Sequence, residues 1–319
     1  MKDKISIVVG GSGQFGIYLS QLLLKKKYKV IITSRNIKLA KKKIPIKSKN
    51  LILKQINILN LEEIKKLILE NKPKSIFYFA SQRSPKLSFK NKKETYQSNY
   101  IGCQNFLKII QKQKIDCKFI NAASSEIYSE TKKKIKLNSK KKPISPYGRA
   151  KLMSFEETKY YREKKNIKSY NAIIFNTESI LRNREYLIPK ICLAAINAYK
   201  FNTITAFGNL NVSREWNWCE EQVKYLLRFI NKEPQDFILS NGKAYTAKQM
   251  IYYAFNYFNL DYKRFIKFRK SFLRKKDFKL KRSNYSFCLK RNNIRRQNKI
   301  YGKKIVYALI KYYLNETKN

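Results

Sequence analysis

Ile5-Ser6-Ile7-Val8-Val9-Gly10-Gly11-Ser12-Gly13-Gln14-Phe15-Gly16 decides the fold. The run of β-branched apolar residues fits a buried strand. Glycines follow at Gly10, Gly13 and Gly16, and then Phe15, Leu19, Leu22 and Leu23 recur at helical spacing. Strand, glycine turn and helix in direct succession form the context in which such glycines cradle a dinucleotide. Glycine lets the chain turn tightly, lets a diphosphate approach the backbone and lets helix pack on strand. The N–H groups of the first helical turn then face the phosphates. Gly10, Gly13, Gln14, Phe15 and Gly16 are therefore expected to contact a cofactor.

Further strand-like runs at 28–33, 51–56, 75–80 and 117–123 alternate with helical patterns at 61–69 and 100–110. That alternation predicts an α/β fold, a doubly wound, Rossmann-like parallel sheet. The expected division is a cofactor-binding domain over 1–175 and a smaller, mainly substrate-binding C-terminal lobe over 176–319, partly interleaved with the first. The second strand ends in Thr33-Ser34-Arg35, with no acidic residue to hold a ribose 2′-hydroxyl. Arg35 favours the 2′-phosphate of NADP, with NAD as the alternative. Asn57 and Ile58 close the third strand, near where the dehydrogenase plan places adenine, and the small residues Ala80 and Ser81 suit close passage of the cofactor. The lysine-rich segment 131–142 reads as a solvated loop, and 305–314 as a last helix.

The chain has 319 residues, 71 Lys and Arg against 21 Asp and Glu, a net charge of +50, and no histidine. Without histidine there is no Ser-His-Asp or Cys-His catalytic pair, and no metal site is expected. Cys103, Cys117, Cys192, Cys219 and Cys288 form no Cys-x-x-Cys pair and read as reduced thiols of a cytoplasmic protein. No uncharged apolar run is long enough to span a membrane, and no signal peptide is visible at the N-terminus. The positive charge is spread along the whole chain, so a compositional bias explains it better than a nucleic-acid partner.

The fifth strand delivers Ser124-Ser125-Glu126-Ile127-Tyr128, and Ser145-Pro146-Tyr147-Gly148-Arg149-Ala150-Lys151 follows. Tyr147 and Lys151, four apart, share a helix face. A neighbouring ammonium favours the phenolate, which makes Tyr147 an acid–base partner for a sugar hydroxyl. Ser124 can hydrogen-bond the same oxygen. Glu126 is surplus to simple alcohol oxidation. Its carboxylate could remove an acidified proton beside a new ketone and protonate a leaving hydroxyl, which is elimination chemistry.

These segments resemble the extended short-chain dehydrogenase/reductases and, within them, the GDP-mannose 4,6-dehydratases. The resemblance runs from Ile5 to about Phe278. It rests on the glycine turn, Ser124–Tyr128, Ser145–Lys151, Phe175-Asn176-Thr177-Glu178-Ser179, Gly208-Asn209-Leu210 and Arg214-Glu215-Trp216. It implies NADP-dependent conversion of a sugar nucleotide to its 4-keto-6-deoxy form, with Ser124, Glu126, Tyr147 and Lys151 catalytic. It further implies substrate contacts at Asn176, Lys190, Arg214, Arg274 and Asp277, and a homo-oligomer, dimer or tetramer. The chain departs from the family pattern at Thr177 (for His), Ile180-Leu181 (for Pro-Arg), Ser129 (for Gly), Gly148-Arg149 (for a small apolar pair) and Arg83-Ser84 (for Ser-His). A sugar-nucleotide epimerase or reductase of the same family is the alternative enzyme, and Glu126 argues against it. A non-catalytic binding protein is the alternative outside enzymes.

Overall fold

The structure is a computed structural model and describes residues 4–129, 133–272 and 281–316. Two compact units divide the described chain: 4–129, 137–174 and 223–239 form the first, and 133–136, 175–222, 240–272 and 281–316 the second.

The first unit is built on a seven-stranded sheet of β1 (Ile5–Val9), β2 (Lys29–Ser34), β3 (Leu51–Gln55), β4 (Ser75–Tyr78), β5 (Lys118–Ser124), β6 (Ser169–Ile174) and β7 (Asp236–Leu239). The spatial order is β7-β6-β5-β4-β1-β2-β3, parallel throughout. This is the doubly wound α/β fold that the alternating pattern predicts. The strand order reverses between β1 and β4, and ligands of such sheets collect at the carboxyl edge of that point. Both the glycine turn after β1 and Ala80-Ser81 after β4 lie there.

Helices α1 (Gln14–Lys25), α2 (Ile37–Lys43), α3 (Leu61–Asn71), α4 (Lys92–Tyr96), α5 (Gly102–Lys112) and α6 (Pro146–Lys165) belong to this unit. Their ends follow local chemistry. The Asn60 side chain accepts from the N–H groups of Glu62 and Glu63 at the start of α3. Ser145 caps α6 through the Gly148 N–H, with Pro146 in its first turn. Ile7, Val9 and Ile76 of the sheet pack with Ile64 and Leu67 of α3 and Phe106 of α5. A buried polar chain fastens α6 to three strands. Asn121 Nδ2 donates to Asn171 Oδ1 at 3.0 Å, Asn171 Nδ2 donates to Asp236 Oδ1 at 2.9 Å, and Arg162 pairs with Asp236 at 2.9 Å.

The second unit packs α7 (Leu187–Phe201), α9 (Ala247–Asn256) and α11 (Lys303–Glu316) around Ile191, Trp216, Met250 and Leu309. Helix α8 (Cys219–Phe229) begins in this unit and from residue 223 belongs to the first, and α10 (Tyr285–Arg291) lies in a lysine- and arginine-rich stretch. Tyr285, Cys288 and Leu289 bury one side of α10, an apolar pattern submerged in lysine and arginine. Among the described residues 133–142 most are exposed or half-exposed, as a solvated loop requires, and Ile135 departs from that expectation. Ile135 is fully buried and bridges Ser283, and its N–H donates to Arg282 O at 2.7 Å.

Glu215 knots this unit. Its carboxylate accepts from the Ser283 N–H at 2.6 Å, Ser283 Oγ at 2.7 Å, the Gly242 N–H at 3.2 Å and Ser240 Oγ. Burial pushes its pKa up, and the four donors oppose that rise. Glu215→Ala strands buried N–H groups, so urea unfolding should show a loss of about 3–5 kcal/mol.

Candidate active site

Strand β5 runs one residue past the expected end and finishes on Ser124 itself. A single 3-10 turn, Ser125–Ile127, follows at once and carries Glu126. Ser124 Oγ accepts from the Glu126 N–H at 3.2 Å. That bond fixes the turn and leaves the hydroxyl hydrogen to donate elsewhere. Glu126 and Tyr147 are half-buried.

Helix α6 brings Tyr147 and Lys151 to the same turn. A side-chain carbon at Gly148 would stand 2.6 Å from Glu126 O and 2.9 Å from Pro143 Cβ. Gly148 therefore lets the helix backbone lie directly against the main-chain carbonyl of Glu126. The close approach accounts for a glycine at 148, and nothing in the structure explains Arg149. Gly148→Val must push α6 away from Glu126. We expect a stability loss of roughly 1–3 kcal/mol in urea melts and about a 100-fold fall in turnover from misplacement of Tyr147.

Lys151 is buried, and its Nζ donates to Ala122 O on β5 at 2.8 Å. Burial pushes its pKa down from 10.5 to about 8, against a smaller upward pull from Cys103. The Cys103 thiol is itself pushed up to about 12 by burial. An ammonium held in a dry site acts more strongly on a nearby phenol than one in water.

The cofactor cradle is equally local. Gly10 has φ +70, and a side-chain carbon there would fall 2.5 Å from Ala80 Cα, so only glycine lets the two loops meet. Gly16 packs as closely on Gly11, where an added carbon would lie 2.4 Å from its Cα. Gly13 caps α1 with no side-chain hydrogen bond to the first turn. Gln14 is buried, and the Phe15 ring leans on Phe79 at 5.9 Å. These are the features a dinucleotide diphosphate requires, and the residues present fit it. At the end of β2, Arg35 pairs with Glu94 at 2.7 Å. At the end of β3, the Asn57 N–H donates to Glu63 Oε2 at 2.8 Å, and Ile58 O accepts from Asn105 Nδ2 at 3.1 Å.

Ser98 and Asn99 belong to the site and escape the sequence reading. Asn99 Oδ1 accepts from the Gln82 N–H at 2.9 Å, and its Nδ2 donates to Gln82 O at 3.2 Å. Ser98 Oγ accepts from the same N–H at 3.1 Å. They pin the loop that follows Ala80 and Ser81. Both sit in a π-helical turn, Gln97–Ile101, ahead of α5. Such turns interrupt a helix where a side chain must be re-aimed. The available signal was a Ser-Asn pair, poor helix formers, inside a helical pattern.

Asn176, Lys190 and Arg214 belong to the second unit. Asn176 O accepts from the Asn217 N–H at 2.9 Å. Arg214 is buried and its Nη1 donates to Ser213 O at 2.9 Å. Lys190 lies between rings rather than in the open: Nζ donates to Ala206 O at 2.9 Å and stands 4.7 Å from the Phe207 centroid and 4.8 Å from that of Phe272. Burial pushes its pKa down. Arg274 and Asp277 lie outside the described residues. Among the described residues, no group of three or more His, Cys, Asp or Glu is placed to hold a metal, and no helix is long and apolar enough to cross a membrane.

Comparison with known proteins agrees with this geometry. The sequence model of the family described as GDP-mannose 4,6 dehydratase matches residues 7–300. A GDP-mannose 4,6 dehydratase of Cricetulus griseus is 28% identical over 263 residues, covering 78% of this chain and 70% of the relative. Among solved structures, UDP-N-acetylglucosamine 4-epimerase from Methanobrevibacter ruminantium, in complex with UDP-N-acetylmuramic acid, superposes with a TM-score of 0.86 at 18% identity, covering 99% of this chain and 100% of the other. UDP-glucuronic acid 4-epimerase from Bacillus cereus, in complex with UDP-glucuronic acid and NAD, gives 0.82 at 17% identity over 98% and 99%. At such identities the two structures speak for the fold. The match along nearly the whole sequence places the chain in the GDP-mannose 4,6 dehydratase family.

Proposed function

We propose that the chain dehydrates GDP-mannose to GDP-4-keto-6-deoxymannose, using NADP held at the glycine turn and at Arg35. The observation that carries this reading is Glu126 on the turn directly after Ser124, with Gly148 of α6 packed on its carbonyl. A nicotinamide dinucleotide held at the glycine turn would supply reversible hydride transfer, which makes the reaction redox-neutral overall. Tyr147 receives the C4 hydroxyl proton, with Lys151 favouring its phenolate and Ser124 steadying the oxygen by a hydrogen bond. Glu126 removes the C5 proton, which the neighbouring ketone acidifies, and delivers a proton to the departing C6 hydroxyl. One water leaves, and as C6 is reduced the proton held by Tyr147 passes to C5, so the carboxylate and the phenol both return to their starting states.

Gly10, Gly13, Gln14, Phe15 and Gly16 would line the diphosphate and the first helical turn, with Asn57, Ile58, Ala80 and Ser81 along the rest of the cofactor. Arg35 supports NADP because no acidic side chain ends β2, although Glu94 already engages one of its nitrogens. Asn176, Lys190 and Arg214, with Arg274 and Asp277, are the proposed contacts to the sugar nucleotide. Self-association as a dimer or tetramer belongs to the same reading and is measured by light scattering. A reducing, cytoplasmic setting suits the five free, buried cysteines.

Incubating the purified protein with GDP-mannose and NADP tests the proposal. The expected product is lighter by one water and carries a 4-keto group. Epimerisation of a sugar nucleotide without loss of water would replace this reading with the epimerase one.

A further inference from the structure

Arg83 stands where the family has serine, and the reaction chemistry above gives it no task. Its position is specific. A side-chain carbon at Gly13 would lie 3.2 Å from Arg83 Nη1, so the guanidinium rests over the glycine turn at the start of α1. Both neighbours of Arg83 are tethered. Gln82 is held by Ser98 and Asn99, and the Ser84 N–H donates to Gln82 Oε1 at 3.1 Å. The side chain thus projects from a fixed base. Its guanidinium is exposed and has no hydrogen bond, ion pair or ring contact among the described residues. A guanidinium offers five N–H donors in a planar fork suited to phosphate oxygens.

We infer that Arg83 clamps the cofactor's diphosphate from the side opposite the first turn of α1, as a positioning residue that keeps the dinucleotide bound through successive turnovers. This rests on the proposed cofactor reading. In a redox-neutral cycle the cofactor ends each turnover as it began, so slow release carries no penalty for turnover.

Calorimetric binding to the purified protein tests this without relying on activity. The probes are NADP, NAD and adenosine 2′-monophosphate, which lacks the diphosphate. For Arg83→Ser we expect affinity for both dinucleotides to fall by about 10- to 100-fold, with the mononucleotide within twofold of the original. Arg83→Lys should keep part of the affinity, because it retains the charge and loses the fork. Unchanged dinucleotide binding in Arg83→Ser overturns the clamp, and so does an equal loss for all three probes, which would mark a general field or a structural defect. If the unaltered protein binds neither dinucleotide, the cofactor reading itself fails and the clamp with it. If it binds both and Arg83→Ser changes nothing, the clamp alone fails.

Discussion

Glu126→Gln is expected to lower formation of the 4-keto-6-deoxy product by about 100- to 10,000-fold, the range ascribed to a positioned acid–base group. The change is isosteric and keeps the Glu126 N–H that donates to Ser124 Oγ. The turn after β5 should therefore survive, and melting temperature and dinucleotide affinity should match the unaltered protein. The amide can neither take the C5 proton nor return it at C6. Exchange of the C5 hydrogen with deuterated water should disappear in parallel with water loss. Product formation within threefold of the unaltered protein would remove Glu126 from the reaction. It would also leave Ser124, Tyr147 and Lys151 as an alcohol-oxidising set without an eliminating group.

Lys151→Met should separate function from stability. Turnover is expected to fall by at least about 100-fold, because Tyr147 loses the ammonium that favours its phenolate. Stability should respond otherwise. Burial lowers the Lys151 pKa from 10.5 to about 8 in the folded chain. Between those values the unfolded chain binds more protons, so stability rises with pH from about 8 to 10.5 and carries a constant penalty below 8. The gap corresponds to about 3 kcal/mol, an upper figure, since methionine also deprives Ala122 O of its donor at a cost of about 1–3 kcal/mol. Lys151→Met should thus melt no lower than the unaltered protein at pH 7 and lose the alkaline rise. In the unaltered protein the same deprotonation predicts activity that declines as pH rises through about 8. A clear drop in melting temperature for Lys151→Met at neutral pH would mean that the buried ammonium supports the fold.

Much of the fold is legible in short windows. Ile5–Val9 and the glycines after it specify strand, turn and helix because β-branching, missing Cβ atoms and helical apolar spacing act over neighbouring residues. Ser145 and Pro146 announce α6 in the same way, and Ser124, Glu126, Tyr147 and Lys151 could be picked out by their spacing. Ile135 and α10 could not. In so lysine-rich a chain, a few apolar residues among many cations look like solvated loop until their partners are known.

By itself, then, the sequence determined the alternation of strands and helices and the glycine turn, and it nominated Ser124, Glu126, Tyr147 and Lys151 as the proposed reacting groups, all from local spacing and covalent character. Tertiary structure alone decided the rest. It set Gly148 against Glu126 O, buried Lys151 against β5, tied Gln82 to Asn99, laid Arg83 over Gly13 and put Lys190 between Phe207 and Phe272. Each of these depends on residues remote in sequence, because close approach, desolvation and hydrogen-bond pairing are fixed only when separate segments pack together.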